Sequence, residues 1–362
     1  MMSQASLDER LRTAAGKVPG VSLLVVGPEG VRARAAVGFA DLEARSPMAT
    51  DLGVPWFSMT KIATATTAVR LAERGTFELD SAVLPLVPAM RSLRPARWAE
   101  RITARHLLQH SGGLANPIPV RWIHPADDPA PDPDTFLDEL LAKHSKLRFE
   151  PGTRSSYSNV GMLILGAAMA RLTKKHFEAV VHDEILGPLD MSSTGFTFPS
   201  GVSAATGYHQ RLSPMRLILP RWVAGPPSGR WISLRRFLLD GAAYGGLVGT
   251  AEDAARFLRM HLRQGELDGV RLISADAATE MRQITMSGGG YDFGLGWFVP
   301  TNRRQSNPAF VEHLGGGGGF FNVMRMYSSL SLGALVMGNC TNYDIDAVAN
   351  LALEYSSEGG AS

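Results

Sequence analysis

The sequence has one cysteine, Cys340, so it cannot form an intramolecular disulfide or, by that residue alone, a thiolate metal site. It also lacks any apolar run of about 18 residues, which argues against a membrane-spanning helix. Residues 1–20 carry five charged side chains and no apolar core of signal-peptide length. We therefore expect a cytoplasmic protein without a signal peptide.

Neither sign of charge dominates the chain, because Lys and Arg total 36 and Asp and Glu total 34. This balance argues against a nucleic-acid partner, which would require a broad basic surface. Hydrophobic residues make up 45% of the sequence and charged residues 19%, which is sufficient for a large core. The length of 362 residues suits one large domain or two ordinary ones.

Motifs of several enzyme classes are missing. There is no G-x-S-x-G elbow, which argues against an ordinary α/β-hydrolase. The five glycines at 315–319 are not followed by the Lys and Ser or Thr of a phosphate-binding loop. His106 and His110 have zinc-like spacing, but the glutamate of H-E-x-x-H is absent and we interpret both as structural. We expect neither a metal nor an organic cofactor.

The most informative feature that is present is the pair Ser58 and Lys61 in the stretch Phe57-Ser58-Met59-Thr60-Lys61. Residues three apart lie on the same face of a helix, so the lysine amine would sit beside the serine hydroxyl. A serine hydroxyl becomes a good nucleophile when an adjacent base takes its proton, and a neutral lysine can be that base. Taken alone, the pair also fits a helix N-cap followed by a solvated lysine.

The sequence after Ser58 predicts a helix over 58–74, with apolar and β-branched residues on one face and a glycine just beyond its end. Its alanine content indicates a buried helix. Burial disfavours the charged form of an amine, so we expect a lowered pKa for Lys61.

Strand patterns occur near both ends of the chain, and the middle is mostly helical. The predicted strands are 21–26, 31–38, 294–299, 319–327 and 331–337, and the predicted helices after 58–74 are 104–110, 133–146, 160–172, 177–185 and 251–264. We interpret this order as a discontinuous α/β domain formed by 1–79 and 241–355. Residues 80–240 form a mostly helical domain, and 356–362 form a flexible tail.

Two further triplets follow in order: Tyr157-Ser158-Asn159 and His313-Leu314-Gly315. The sequence S-x-x-K, Y-x-N, H-x-G resembles the serine β-lactamase and penicillin-binding-protein superfamily, and most closely the class C β-lactamases and the related family VIII carboxylesterases. Other stretches continue the resemblance, at 18–21, 38–42, 102–114, 149–152, 205–208, 245–253 and 294–297. The resemblance implies an α+β fold with an antiparallel sheet flanked by helices and a mostly helical insert.

The same resemblance implies a role for each matching residue. Ser58 would be the nucleophile, and Lys61 and Tyr157 would share the work of the general base. Asn159 would bind Lys61 and the acyl side of the substrate. The backbone N–H groups of Ser58 and Gly316 would form the oxyanion hole.

The third triplet departs from true β-lactamases, which carry K-[ST]-G at this position. Here His313 replaces the lysine, Leu314 removes the hydroxyl, and Gly315 is kept. A histidine is mostly neutral at pH 7 unless it is perturbed. Both changes weaken recognition of an anionic substrate and favour neutral esters. His313 also fits a strand histidine whose ring is satisfied within the fold.

Residues 191–239 contain no Asp or Glu. Arginines are frequent there, with tryptophans and prolines interleaved: Arg211, Arg216, Arg221, Arg230, Arg235, Arg236, Trp222 and Trp231. This segment, densest over 210–236, is either a wall or lid that contacts the substrate or another subunit, or a solvated loop stiffened by proline.

We therefore expect a serine hydrolase that acts as a carboxylesterase on small acyl esters. A β-lactamase or D-amino-acid peptidase is the alternative within hydrolases. A non-catalytic binding or sensor domain is the alternative of another class. The partner would be a small-molecule ester or amide, and a homo-oligomer is also considered.

Overall fold

A nine-stranded antiparallel sheet forms the centre of the protein. The computed structural model describes residues 3–213 and 219–359. The strands follow the order β14-β15-β16-β17-β18-β19-β1-β2-β3 across this sheet. The strands of the described residues are β1 Gly20–Val26, β2 Val31–Asp41, β3 Ser46–Pro47, β4 Val54–Pro55, β5 Ile123–Pro125, β6 Thr194–Gly195, β7 Tyr208–Gln210, β8 Ala224–Ser228, β9 Trp231–Leu234, β10 Phe237–Leu239, β11 Val248–Gly249, β12 Glu266–Leu267, β13 Val270–Arg271, β14 Met286–Gly288, β15 Tyr291–Phe293, β16 Phe298–Pro300, β17 Val311–Gly317, β18 Phe320–Tyr327 and β19 Leu332–Gly338.

Helices cover both faces of this sheet. Those in the described residues are α1 Gln4–Ala15, α2 Thr60–Glu73, α3 Ala96–Ala99, α4 Ala104–Leu108, α5 Pro133–Lys143, α6 Asn159–Thr173, α7 Phe177–Val181, α8 Ala251–Leu262, α9 Ala275–Arg282 and α10 Ile345–Gly359. None of them is long and apolar enough to cross a membrane.

Strand β1 shows why the sheet is buried on both sides. All seven of its residues are buried. Successive side chains of a strand point to opposite faces, and Val21, Leu23 and Val25 pack in the cluster formed with α1 and α10. Leu24 and Val26 belong to the other cluster, which contains α2 and α8. A continuous apolar strand is therefore required at this position.

The fold class predicted from the sequence is confirmed. The first two predicted strands correspond to β1 and β2, which pair antiparallel with Val21 opposite Val37. Helix α1 was not predicted. The predicted helix 58–74 begins instead at Thr60, after a 3₁₀ turn at Phe57–Met59. Short strands, β5 to β10, occur within the region predicted to be mostly helical.

The predicted tail 356–362 falls partly within a helix, because α10 continues to Gly359. Residues 360–362 lie outside the described residues. The division into a discontinuous domain, 1–79 and 241–355, and a helical domain, 80–240, stays a prediction.

Candidate active site

Ser58 lies in the 3₁₀ turn that leads into α2, and this turn packs against β17. The preceding residue, Phe57, has a φ of 49°, in the left-handed region that non-glycine residues rarely adopt. Such a conformation costs roughly 1–3 kcal/mol and persists when the surroundings fix it. The Phe57 ring is held between Phe237 and Phe320, at centroid distances of 6.2 and 6.3 Å.

Lys61 is fully buried on α2, and its amine faces Ser58. The Nζ atom lies 2.9 Å from Ser58 Oγ and donates a hydrogen bond of 2.6 Å to the backbone carbonyl of Tyr244. Burial lowers the pKa of Lys61 well below its usual value. A neutral amine at this distance has a lone pair available for the serine proton, so the pair is arranged for nucleophile activation.

The carbonyl of Tyr244 is a contact that sequence reasoning missed. It belongs to a 3₁₀ turn, Ala242–Tyr244, which is also fixed by a hydrogen bond of 2.8 Å from Thr64 to the Ala243 carbonyl. The glycine-rich stretch that begins at Gly245 was part of the family resemblance. Every residue has a backbone carbonyl, so the identity of residue 244 does not predict this contact. Only its position next to the glycine-rich stretch could have indicated it.

Tyr157 is the third member of the cluster. The Lys61 amine lies 4.9 Å from the centre of its ring. The residue as a whole is partly exposed, yet desolvation of the hydroxyl raises the pKa of Tyr157. The phenol therefore stays protonated near neutral pH and is placed to give or relay a proton.

Asn159 opens α6 and is directed at the same cavity as Ser58. Its backbone N–H donates to Asn116 Oδ1 at 3.0 Å. Its own Oδ1 is buried without a hydrogen-bond partner, so the expected bond from the Lys61 amine to this oxygen is not formed here. The Lys61 amine donates instead to the Tyr244 carbonyl.

His313 is buried on β17 and faces Tyr157, with 6.1 Å between the ring centroids. Its Nδ1 lies 2.7 Å from the Leu314 carbonyl, which requires the proton on Nδ1 and leaves Nε2 as an acceptor. Nε2 is buried without a partner. Burial lowers the pKa of His313 well below its usual value. His313 is therefore a neutral group, and only one of its two ring nitrogens, Nδ1, has a hydrogen-bond partner.

His110, which we interpret from the sequence as structural, lies in contact with Tyr157. It lies beyond the end of α4 and has a φ of 53°, so the predicted helix 104–110 ends earlier, at Leu108. Its ring lies 4.6 Å from the Tyr157 ring, and its Nδ1 accepts a 3.2 Å hydrogen bond from the Ser158 N–H. Burial lowers the pKa of His110 to about 3. His106 is used elsewhere, in capping α4.

The glycine run supplies backbone close to the nucleophile. A Cβ on Gly315 would lie 2.1 Å from the Trp56 carbonyl oxygen, so β17 can approach the turn only with glycine there. Gly316 lines the cavity together with Ser58. The two predicted oxyanion-hole residues are therefore on the same wall.

A cavity of about 210 Å³ opens onto Ser58. Its lining is mostly apolar: Phe57, Ser58, Pro119, Val120, Ile123, Asn159, Leu219, Phe237, Leu239, Tyr244, Gly316, Gly317 and Gly318. None of these described residues is charged. A larger cavity of about 420 Å³ lies between α5 and α6, and Ser58 is not among its lining residues.

The arginine-rich segment is partly a wall of this cavity. Leu219, Phe237 and Leu239 line it. The described arginines of the segment are exposed: Arg211, Arg221, Arg230, Arg235 and Arg236. Arg216 lies outside the described residues. In 3–213 and 219–359 no cluster of three or more His, Cys, Asp or Glu side chains is arranged to hold a metal ion.

Comparisons with known proteins agree with this geometry. The beta-lactamase family profile matches residues 7–354. The esterase EstB of Burkholderia gladioli is 26% identical over 96% of this chain and 92% of its own length. The D-alanyl-D-alanine-carboxypeptidase/endopeptidase AmpH of Escherichia coli K12 is 25% identical over 77% of this chain and 69% of its own. The octameric penicillin-binding protein homologue of Pyrococcus abyssi has the same fold, with a TM-score of 0.79 and 23% identity, over 98% of this chain and 76% of that one.

Proposed function

The chain belongs to the beta-lactamase family of serine hydrolases, and we propose that it is a carboxylesterase that acts on small, neutral acyl esters through an acyl-enzyme on Ser58. The observation that carries this proposal is the cavity at Ser58, in which none of the described lining residues is charged. Its volume of about 210 Å³ is below the roughly 300–1,000 Å³ usual for drug-sized ligands.

In the acylation step that we propose, Ser58 Oγ forms a bond to the ester carbonyl carbon and its proton passes to the Lys61 amine. The carbonyl electron pair moves to oxygen, and its return breaks the bond to the alkoxide, which takes a proton from Tyr157 as Tyr157 regains one from Lys61. A water molecule then bonds to the acyl carbon as one of its protons passes to Lys61. The bond from that carbon to Ser58 Oγ breaks as the serine oxygen regains the proton, which releases the carboxylic acid. Lys61 is the base of the two that is available, because desolvation lowers its pKa and so favours the unprotonated amine, whereas it raises the pKa of Tyr157 and so disfavours the phenolate.

The developing oxyanion would be bound by the backbone N–H groups of Ser58 and Gly316. Both residues line the cavity, and removing one such donor typically costs about 100- to 1000-fold in rate. Asn159, whose side-chain oxygen has no partner, would contact the acyl side of the substrate.

The neutral state of His313 is a second observation that favours an uncharged substrate. In the family resemblance this position carries a lysine that helps to anchor a carboxylate. The buried imidazole presents a lone pair at Nε2, and burial opposes its protonation. A substrate carboxylate would therefore find no cation at this position.

A D-amino-acid peptidase is the rival within hydrolases, and AmpH, a relative, is named for such an activity. A peptide with a free carboxylate would need a positive partner in the site, which disfavours this rival. The esterase EstB aligns with 96% of the chain, whereas AmpH aligns with 77%.

That the chain forms a homo-oligomer stays a prediction. Light scattering on the purified chain tests this prediction.

The test compares purified wild-type protein on p-nitrophenyl butyrate, nitrocefin and a D-alanyl-D-alanine peptide, with Ser58→Ala as the control. We expect kcat/KM for the ester to exceed that for the other two by at least about tenfold, and Ser58→Ala to be inactive. Equal or higher efficiency on nitrocefin or the peptide would reject the esterase assignment. No turnover of any substrate would favour a non-catalytic binding domain.

A further inference from the structure

One wall of the cavity at Ser58 is a two-stranded ribbon formed by β5 and β10. The strands pair antiparallel, with Ile123 opposite Leu239 and Pro125 opposite Phe237. Side chains two residues apart on a strand share a face. Phe237, Leu239 and Ile123 accordingly line the cavity together, and Leu238 and His124 belong to the opposite face.

Phe237 fills the space between this ribbon and the glycine run. The ring is buried and packs against Phe57, the residue before the nucleophile. A Cβ placed on Gly318 would lie 2.0 Å from Phe237 Cζ, so the ring is in close contact with the backbone there. Gly318 also lines the cavity, two residues after Gly316. The Phe237 ring therefore occupies volume in the cavity beside the backbone of the glycine run.

The ribbon is fastened on its other face. His124 Nδ1 lies 2.7 Å from Asp240 Oδ1, and the Asp240 N–H donates to the Trp122 carbonyl at 2.9 Å. Trp122 packs edge-on against Tyr244, whose carbonyl holds the Lys61 amine. The β5–β10 ribbon is thus connected through Trp122 to Tyr244, the residue that binds the Lys61 amine. This connection fixes the side chains of the ribbon relative to Ser58.

We propose that the β5–β10 ribbon selects the acyl group of the substrate and that Phe237 sets the limit on acyl-chain length. The substrates are then esters of short aliphatic acids, and longer chains are excluded by the ring. This inference rests on the proposed esterase function. The inference goes further by naming the acid from which the substrate ester is formed, and Phe237 as the residue that selects this acid.

The test measures kcat/KM of the full chain on p-nitrophenyl esters from acetate to octanoate. We expect wild type to prefer the shortest acyl groups. Phe237→Ala should raise the ratio of octanoate to acetate efficiency about tenfold or more, since each methylene admitted to an apolar pocket contributes a substantial factor. Phe237→Leu, a smaller change, should shift the ratio in the same direction.

Leu238→Ala is the matched control, because it truncates a buried residue of the same strand on the opposite face. It should leave the chain-length ratio unchanged. If Phe237→Ala and Phe237→Leu hydrolyse esters with the wild-type ratio, the ribbon does not select the acyl group, although the esterase function stands. If wild type hydrolyses no ester of the series, the esterase function fails and this inference fails with it.

Discussion

At the scale of single residues, we propose that the protonation state of Lys61 decides whether Ser58 acts as a nucleophile. The amine is fully buried and in contact with the serine oxygen, and burial is the cause of its lowered pKa. Ser58, Lys61 and Tyr157 were predictable because residue types at fixed spacings carry their chemistry. The contact of Tyr244 was not predictable, because Tyr244 acts through its backbone carbonyl. The position of His110 was not predictable either, because a positive φ brings its ring to Tyr157.

We predict that kcat/KM for an ester rises with pH as Lys61 loses its proton and levels off well below 10.5, the ordinary lysine pKa. The neutral amine is the active form, so activity is present above the pKa in the folded protein and is lost below it. Lys61→Arg keeps the charge and cannot act as a base, so it should reduce kcat/KM about 10²- to 10⁴-fold. A pH profile with its midpoint near 10.5, or an active Lys61→Arg, would contradict the role of Lys61.

A second residue-scale prediction concerns His110, which we interpret as a positioning residue for Tyr157. His110→Asn keeps an acceptor for the Ser158 N–H and removes the ring beside Tyr157. We expect kcat to fall about 10- to 100-fold with little change in KM, since a small displacement of a catalytic group is costly.

His110→Phe is the matched variant, because it keeps a ring and removes the acceptor. We expect it to retain more activity than His110→Asn if ring stacking positions Tyr157. Unchanged kcat in His110→Asn, with a native circular dichroism spectrum, would show that the stacking has no such role.

At the scale of elements, strand β17 joins the site to the rest of the fold. His313 lies in the site, whereas the neighbouring Glu312 is paired with Arg325 of β18 at 2.7 Å, and both are buried. Arg325 also bonds Asp346 and Asn350 of α10. The paired strands β1 and β2 were predictable from their turn. Helix α1 was not, because its stripe of Leu7, Leu11 and Ala15 is narrow and has meaning only against the sheet face that it covers.

We predict that Arg325→Met lowers the free energy of unfolding by about 3–5 kcal/mol, because it leaves the Glu312 carboxylate buried without its partner. Adding Glu312→Leu should recover most of the loss, and urea denaturation measures both. The exposed ion pair Lys175–Asp183 provides the control, and Lys175→Met should leave the midpoint nearly unchanged. A double variant no more stable than Arg325→Met would contradict this explanation.

At the scale of the whole molecule, the sheet combines strands from 20–47 with strands from 286–338, and both ends of the described chain pack on one of its faces as α1 and α10. Buried, neutral histidines are distributed through this core. His261 is fully buried between α2 and Trp297, and burial lowers its pKa to about 3. The composition predicted a large core, but it could not indicate which histidines are enclosed.

Because unfolded histidine takes up a proton near pH 6.5 and His261 does not in the folded state, stability should fall as the pH falls from 6.5 toward 3. At pH 5 this residue alone should cost about 2 kcal/mol relative to pH 8. Thermal unfolding of His261→Leu should therefore show a weaker pH dependence than wild type. The exposed His176→Gln should behave as wild type, and an unchanged slope in His261→Leu would contradict the explanation.

The central claim, that Ser58 is the nucleophile of a serine hydrolase, is tested most directly by trapping it. The folded protein is treated with a fluorophosphonate and digested, and the modified peptide is identified by mass spectrometry. We predict one adduct, on the peptide that carries Ser58, with loss of ester hydrolysis in proportion to labelling and no adduct in Ser58→Ala. An adduct on another residue, or no adduct on the folded wild-type protein, would contradict the claim.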